Sequence, residues 1–251
     1  ALPIYMAVIK QGILDCAVGT IDSFSVAYWP SDTSLASREK WRNEWLFPLY
    51  LDVIYDNPEE LAFANTGYTS SWTYTFDGAQ LHYFLVLTPD LSTWVLTHMD
   101  DFQTELDRAC FEIFGAKNGI NESMTDLEKV TAAHDWIVTN CRYDPVVGYG
   151  GGIEETWTSP SGQTFYKFYE VYTPYGVIVD HNAVCQGYAL AFKALMDRVG
   201  IGCWFIGSSN ANHAWNLVQV DGAGITSTAP GTIRMLAVST TLPAMWSGRT
   251  F

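Results

Sequence analysis

The sequence predicts an α+β protein in which a helix beginning at Cys185 packs on an antiparallel sheet, preceded by an N-terminal α+β region. Three observations carry this. The chain has 251 residues, 48% of them hydrophobic, which is enough to bury a full core without covalent staples and suits one large domain or two small ones. Helix signals with caps and 3.6-residue apolar stripes are interspersed with β-prone runs. From Cys185 to Val220 the chain reads as helix, strand and hairpin in succession.

Residues 1–124 form the mixed N-terminal region. "SREKWRNEWLFPLYLDVIY" is helical in character, and the missing N–H of Pro48 should end or kink the helix near Phe47. "SSWTYTFDGAQLHYFLVL" places two aromatic and branched runs around Asp77-Gly78, a pair that tolerates the positive φ of a tight hairpin turn. After Pro89, "STWVLTHMDDFQTELDRACFEIFG" predicts a helix closed by Gly115.

A second unit, residues 125–221, opens on "TDLEKVTAAHDWIVTNCRYD". Thr125 with Glu128 forms a capping box, and Leu127, Val130, Ala133, Trp136 and Ile137 follow as an apolar stripe. His134 lies beside that stripe, where a structural role is expected. The glycine-rich "GYGGG" and the polar "SPSG" mark a long loop from about Pro145 to Tyr172, of a length that often covers or shapes a binding site. Residues 222–251 form an atypical tail.

The bulk charge narrows the function classes. A formal net charge of −14 with a pI near 4.5 would repel phosphate backbones, because nucleic-acid affinity comes largely from Lys and Arg neutralising phosphates. No nucleic-acid partner is expected, and no apolar run is long enough to span a bilayer. The five cysteines, Cys16, Cys110, Cys141, Cys185 and Cys203, include no CxxC pair, so neither a zinc ribbon nor a dense disulfide framework is indicated. The five histidines form no HExxH pattern and no DxDxDG loop is present, so no metal or other cofactor is implied. His181, in "DHN", is expected in a solvent-facing loop. The glycines from Gly148 to Gly152 lack a P-loop lysine, which leaves nucleotide binding unsupported. An acidic, lysine-poor chain with an odd cysteine count is compatible with an extracellular or cell-surface location.

Cys185 carries the functional signal. Tyr188, Phe192, Leu195, Met196 and Val199 recur on one face of the helix that it begins, and Gly200 supplies the stop. A thiolate on a first helical turn faces unpaired N–H groups and the positive end of the helix dipole, and the same N–H groups suit an oxyanion. The bland alternative is a cysteine packed as a small apolar residue. The hairpin formed by "CWFIGSS", "SNAN" and "HAWNLVQV" would set His213 at the start of a strand, beside the end of the sheet on which the helix packs. An imidazole within reach would take the thiol proton and return it to a leaving group.

"TPYGVIVDHNAVCQGYALAFKALMDRVGI" followed by "HAWNLVQVDG" resembles the core of the transglutaminase-like superfamily, especially its bacterial peptidase-like members, and "TDLEKVTAAHDWIVTNCRYD" resembles the helix before the nucleophile. The resemblance covers roughly residues 125–221. It implies a papain-like fold with a Cys-His-Asp triad, in which Cys185 is the nucleophile and His213 the general base. Tyr175 and Gln186 become candidate neighbours of the site, with a buried structural role open for Tyr175. The implied chemistry is acyl transfer on peptide or protein amides.

The third triad residue departs from the pattern. The family carries a "WYHVD.TW" type segment on the strand after the histidine strand, whereas this chain reads "GAGITSTAPGTIRMLAVSTTLPAMWSGRTF" after Asp221 and has Thr228 where the Asp is expected. All 27 acidic residues lie at or before Asp221. Read from each third nucleotide, the codons of Ala223 to Ile233 permit Trp or Arg, Tyr, His, Val, Asp, Cys, Thr, Trp, Asp, Asp and Thr in order, with the Asp overlapping the codons of Ser227 and Thr228. The expectation is therefore an out-of-frame tail that has lost the family's Asp, together with a strand that would have paired in the sheet. In the analogous serine triad, loss of the orienting carboxylate costs about 10⁴ in kcat. Asp221, Ser227 or Thr228 stand as substitutes, with Asp221 expected in the turn with Gly222. Two readings remain: a thiol acyltransferase or peptidase, and a catalytically inactive binding or structural module that retains the fold.

Overall fold

The computed structural model describes residues 2–115, 123–144, 156–158, 164–208, 210–220, 223–228 and 232–238. The chain divides into two compact units, one of Ala1–Tyr55 with Ala64–Ser92 and the other of Asp56–Phe63 with Thr93–Phe251.

In the first unit the elements run α1 (Leu2–Ala17), β1 (Phe24–Tyr28), α2 (Leu35–Trp41), a π-helical turn (Arg42–Leu46), α3 (Phe47–Asp56), β2 (Ala64–Phe76) and β3 (Leu81–Leu91). The break expected at Pro48 is this π turn. Pro48 occupies the first turn of α3, where its missing N–H leaves no i→i−4 donor and the preceding residues widen their bonding. The sheet order is β1-β3-β2, antiparallel throughout, with Phe76 opposite Leu81 across the loop that holds Asp77 and Gly78. Gly78 takes φ +95°, as the turn chemistry requires. Gly12 of α1 lies so close to the Phe24 ring that an added Cβ would sit 2.3 Å from it, which fixes how near the helix comes to β1.

The second unit runs α4 (Thr93–Thr97), α5 (Met99–Phe114), α6 (Asp126–Asn140), β4 (Arg142–Tyr143), β5 (Thr156–Thr158), β6 (Thr164–Tyr166), a 3-10 turn (Lys167–Tyr172), α7 (Pro174–Ile178), β7 (Asn182–Ala183), α8 (Cys185–Arg198), β8 (Cys203–Ser208), β9 (His213–Val220), β10 (Ala223–Thr228) and β11 (Thr232–Val238). Gly115 closes α5 at φ +73°, and both halves of the Thr125/Glu128 capping box are formed at α6. Of the expected α6 stripe, Val130, Ala133 and Ile137 are buried, whereas Leu127 is exposed on the first turn. The loop expected from Pro145 to Tyr172 contains the antiparallel β5–β6 pair and the 3-10 turn; the glycine cluster lies outside the described residues. The sheet order is β11-β10-β9-β8, every pair antiparallel.

Helix α5 belongs to the second compact unit, where Phe102 stacks on Tyr175 at 6.3 Å and Trp136 Nε1 donates to Glu112 Oε2 at 3.0 Å. One expectation is corrected. The tail after Asp221 was expected to leave the sheet short, but β10 pairs with β9 from Ala223↔Val220 to Ser227↔Asn216. Its backbone supplies the ladder whatever its side chains.

Helix α8 is the centre of the unit. Every residue from Gly187 to Met196 is buried, including Lys193, whose Nζ pairs with Asp197 at 2.9 Å. The one-sided stripe read in the sequence is thus a helix covered all round. Its last turn is held by Arg198, which donates to Glu59 Oε2 at 2.8 Å, Asp107 Oδ1 at 2.7 Å and Gln103 Oε1 at 3.0 Å. These bonds tie the helix to both the 56–63 segment and α5. Arg198→Met, which keeps the stem but removes the fork, is expected to lower unfolding free energy by about 1–3 kcal/mol, as hydrogen bonds to charged groups do; urea titration of both proteins measures it.

Candidate functional site

Cys185 opens α8 and is half-buried as a free thiol, as are the other four cysteines in the bonding sense: no pair is bridged. Its helix start differs from that of α6. The N-cap is Val184, extended at φ −103° and ψ 178°, and no side chain caps the turn. The first N–H groups of a helix have no intrahelical partner; at α6 Thr125 and Glu128 take them up, while at α8 the apolar N-cap leaves them unanswered by any cap. The first intrahelical bond there is Tyr188 N–H to Val184 O at 3.1 Å.

The chain is led to this start by backbone pairing. Arg142 N–H donates to His181 O at 2.9 Å and Asp144 N–H to Ala183 O at 2.8 Å, the parallel β4–β7 ladder, while Val184 N–H donates to Val171 O at 3.0 Å. Asn182 Nδ2 donates to Asp144 Oδ2 at 2.6 Å, and Gln186 Nε2 donates to Tyr172 O at 3.1 Å. Gly187 then allows the first turn to lie against the 3-10 segment: an added Cβ would sit 2.5 Å from Val171 O and 3.0 Å from Thr173 O. Gly176 makes the matching approach in α7, where a Cβ would meet Glu170 O at 2.5 Å. Tyr172, whose carbonyl accepts from Gln186, is half-buried; burial pushes its phenol up, and Cys185 and Asp144 push it further, so the phenol stays protonated.

His213 is the first residue of β9, half-buried, following Asn212 at φ +45° and lying opposite Ser208 on β8. Its ring faces that of Trp215 at 6.0 Å and 24°. Topology sets its end of the sheet. A short turn through Gly200, at φ +71°, reverses the chain from α8 into β8, and β9 reverses it again, so α8 and β9 run in the same direction with Cys185 and His213 at their starts. The alternate residues Ala214, Asn216, Val218 and Val220 are buried, and Asn216 Nδ2 donates to Ala189 O of α8 at 2.9 Å, which identifies the face turned to the helix. The pleat therefore directs His213 from the opposite face of the sheet, at the end where β9 begins.

The remaining expected residues lie as follows. Tyr175 is buried against Phe102 in the core, its phenol pushed up by burial. Gln186 braces the 3-10 turn through Tyr172. Thr228 ends β10, whose register sets Ser227 opposite Asn216; Asp221 is outside the described residues. His134 bonds Asp135 Oδ1 at 3.0 Å and has a structural setting. His181 corrects the expectation of a solvent-facing residue: it is half-buried at φ +54°, its Nδ1 is buried without a hydrogen-bond partner, and its ring lies 6.5 Å from that of Trp136. Among the described residues no cluster of His, Cys, Asp and Glu is arranged to hold a metal ion, and no helix is long and apolar enough to cross a membrane.

Sequence reasoning missed Gly187, Asn216 and Tyr172. The first two were legible: glycine in a helical turn costs about 1 kcal/mol against alanine and so signals a close approach, and Asn216 is the polar residue among the alternate positions Ala214, Val218 and Val220. Tyr172 had no sequence signal.

No family model matches the chain, and no curated protein matches it. Among solved structures it is similar to a transglutaminase, described as a "TGase", at 11% identity and a TM-score of 0.37, over 90% of this chain and 54% of that one. It is also similar to a "Putative Cysteine Protease" from Cytophaga hutchinsonii at 16% identity and a TM-score of 0.33, over 64% of this chain and 62% of that one. The chain thus spans less than two thirds of the length of either.

Gly187→Ala must push its methyl into backbone carbonyls rather than a yielding side chain. A loss of about 1–3 kcal/mol in stability is expected, as for overpacked sites, and calorimetry of the variant against the parent measures it.

Proposed function

We propose that the chain carries out thiol-dependent acyl transfer on peptide or protein amides, with Cys185 as nucleophile and His213 as general base. The observation that carries the proposal is the uncapped, half-buried start of α8 at Cys185, at the same end of the unit as the start of β9. His213 takes the thiol proton as sulfur attacks the amide carbon. The resulting oxyanion is met by the N–H groups of the first turn of α8. The imidazolium returns its proton to the departing amine, leaving a thioester on Cys185 that water or a second amine resolves. Tyr172, kept protonated by burial, would serve as a donor to the sulfur or the oxyanion.

One observation favours a second reading, an inactive binding module. The segment after Asp221 contains no carboxylate, so β10 offers no charged group to orient the imidazole. The two readings separate by thiol labelling. Burial pushes Cys110 and Cys141 up to about 11, and Cys203 higher still, so these thiols stay protonated at neutral pH. Iodoacetamide at pH 7 is expected to modify Cys185 rapidly and Cys110 and Cys141 hardly at all, with His213→Ala slowing the reaction at Cys185; equal inertness of Cys185 and Cys110 would instead establish the module. A raised thiol value stabilises the fold below the ordinary value of 9.0 and ceases to do so as pH rises toward about 11. Stability measured by urea midpoint should therefore fall across that interval, with labelling of Cys110 and Cys141 appearing alongside.

The third position gives a gain-of-function test. Thr228→Asp is expected to raise hydrolysis of a peptide amide or thioester probe, by up to about 10⁴ if the carboxylate reaches His213 as in a complete triad. The same substitution in a His213→Ala background should give no gain.

A further inference from the structure

We propose that Asn216 is a positioning residue that sets the register of the His213 strand on the Cys185 helix. The inference rests on the Cys185–His213 pair proposed above. Asn216 is 3% exposed on the central strand β9, flanked by Phe205 on β8 and Ser227 on β10. Its Nδ2 donates to Ala189 O at 2.9 Å. That carbonyl lies one helical turn beyond Cys185, and Asn216 lies three residues beyond His213, so one amide bond fixes two parallel distances from a common point. The helix spans about 6 Å over its four residues and the strand about 10 Å over its three.

The neighbouring inward residues cannot do this. Ala214, Val218 and Val220 bury apolar surface against α8, and apolar contact is non-directional. A slide of one strand residue moves His213 by about 3.3 Å, more than separates a hydrogen bond from none. A slide that preserved apolar burial would leave the Asn216 amide unpaired in the interior, which makes the slid state costly.

The test uses the full chain and reads the ratio of Cys185 alkylation rates at pH 6 and pH 9, by peptide mass mapping with iodoacetamide. The parent protein, Asn216→Leu, Val218→Ala and His213→Ala are compared, with folding followed by near-UV circular dichroism. Val218 is a fully buried neighbour on the same face, so its truncation lowers stability without removing the amide bond. The expected result is that Asn216→Leu drops to the His213→Ala ratio, at least about tenfold below the parent because without the imidazole the thiolate fraction at pH 6 collapses relative to that at pH 9, while Val218→Ala keeps the parental ratio despite melting lower. Asn216→Ser, smaller and too short to reach Ala189 O, is read in the same way where the leucine variant does not fold. A parental ratio in the Asn216 variants, or an equal fall in Val218→Ala, overturns the positioning role and leaves the pair standing. A parent that already matches His213→Ala overturns the pair itself, and this role with it.

Discussion

The second unit depends on burying α8 on every side while leaving its first turn uncapped. Ten consecutive residues, Gly187 to Met196, have no exposed face, so helix α6, helix α7, the 3-10 turn and strands β8 and β9 all meet one cylinder. A helix so enclosed cannot slide or roll without voids opening in its neighbours. Its two ends are then fixed by different means. Arg198 anchors the last turn through charged hydrogen bonds, and Gly187 brings the first turn against the carbonyls of Val171 and Thr173. The position of Cys185 follows from both.

This arrangement separates Cys185 from the other thiols. Cys110, Cys141 and Cys203 are buried in the core, where desolvation opposes the thiolate. Cys16 is half-buried in the first unit, where burial and then Asp15 and Asp22 push its thiol upward. Cys185 instead begins a helix, half-buried on a first turn that no side chain caps.

The legible part of the sequence was the part governed by local rules. The capping box at Thr125, the αL glycines at Gly115 and Gly200, the turn at Asp77-Gly78 and the helix start at Cys185 are each set within a few residues, and each appears where the pattern placed it. What depended on distant packing was not readable. Helix α5 joins the second unit because of Phe102 against Tyr175 and Asp107 and Gln103 against Arg198, pairs separated by 73 to 95 positions. His181 is drawn inward because its carbonyl accepts from Arg142, a constraint invisible in "DHN".

The C-terminal strands show why fold and chemistry can part company. A strand is admitted to a sheet by its backbone N–H and C=O groups and by a weak preference for branched side chains. "GITST" and "TIRMLAV" meet both conditions, and β10 and β11 complete the ladder beside β9. A triad carboxylate has no such tolerance, since one side chain at one register must carry charge within reach of one imidazole. A tail can therefore pair in the sheet without carrying a carboxylate. The Cys185 helix, held by Arg198, Gly187 and the Asn216 amide, is built from residues upstream of that tail. The placement of α8 and of the start of β9 therefore does not depend on which side chains β10 carries.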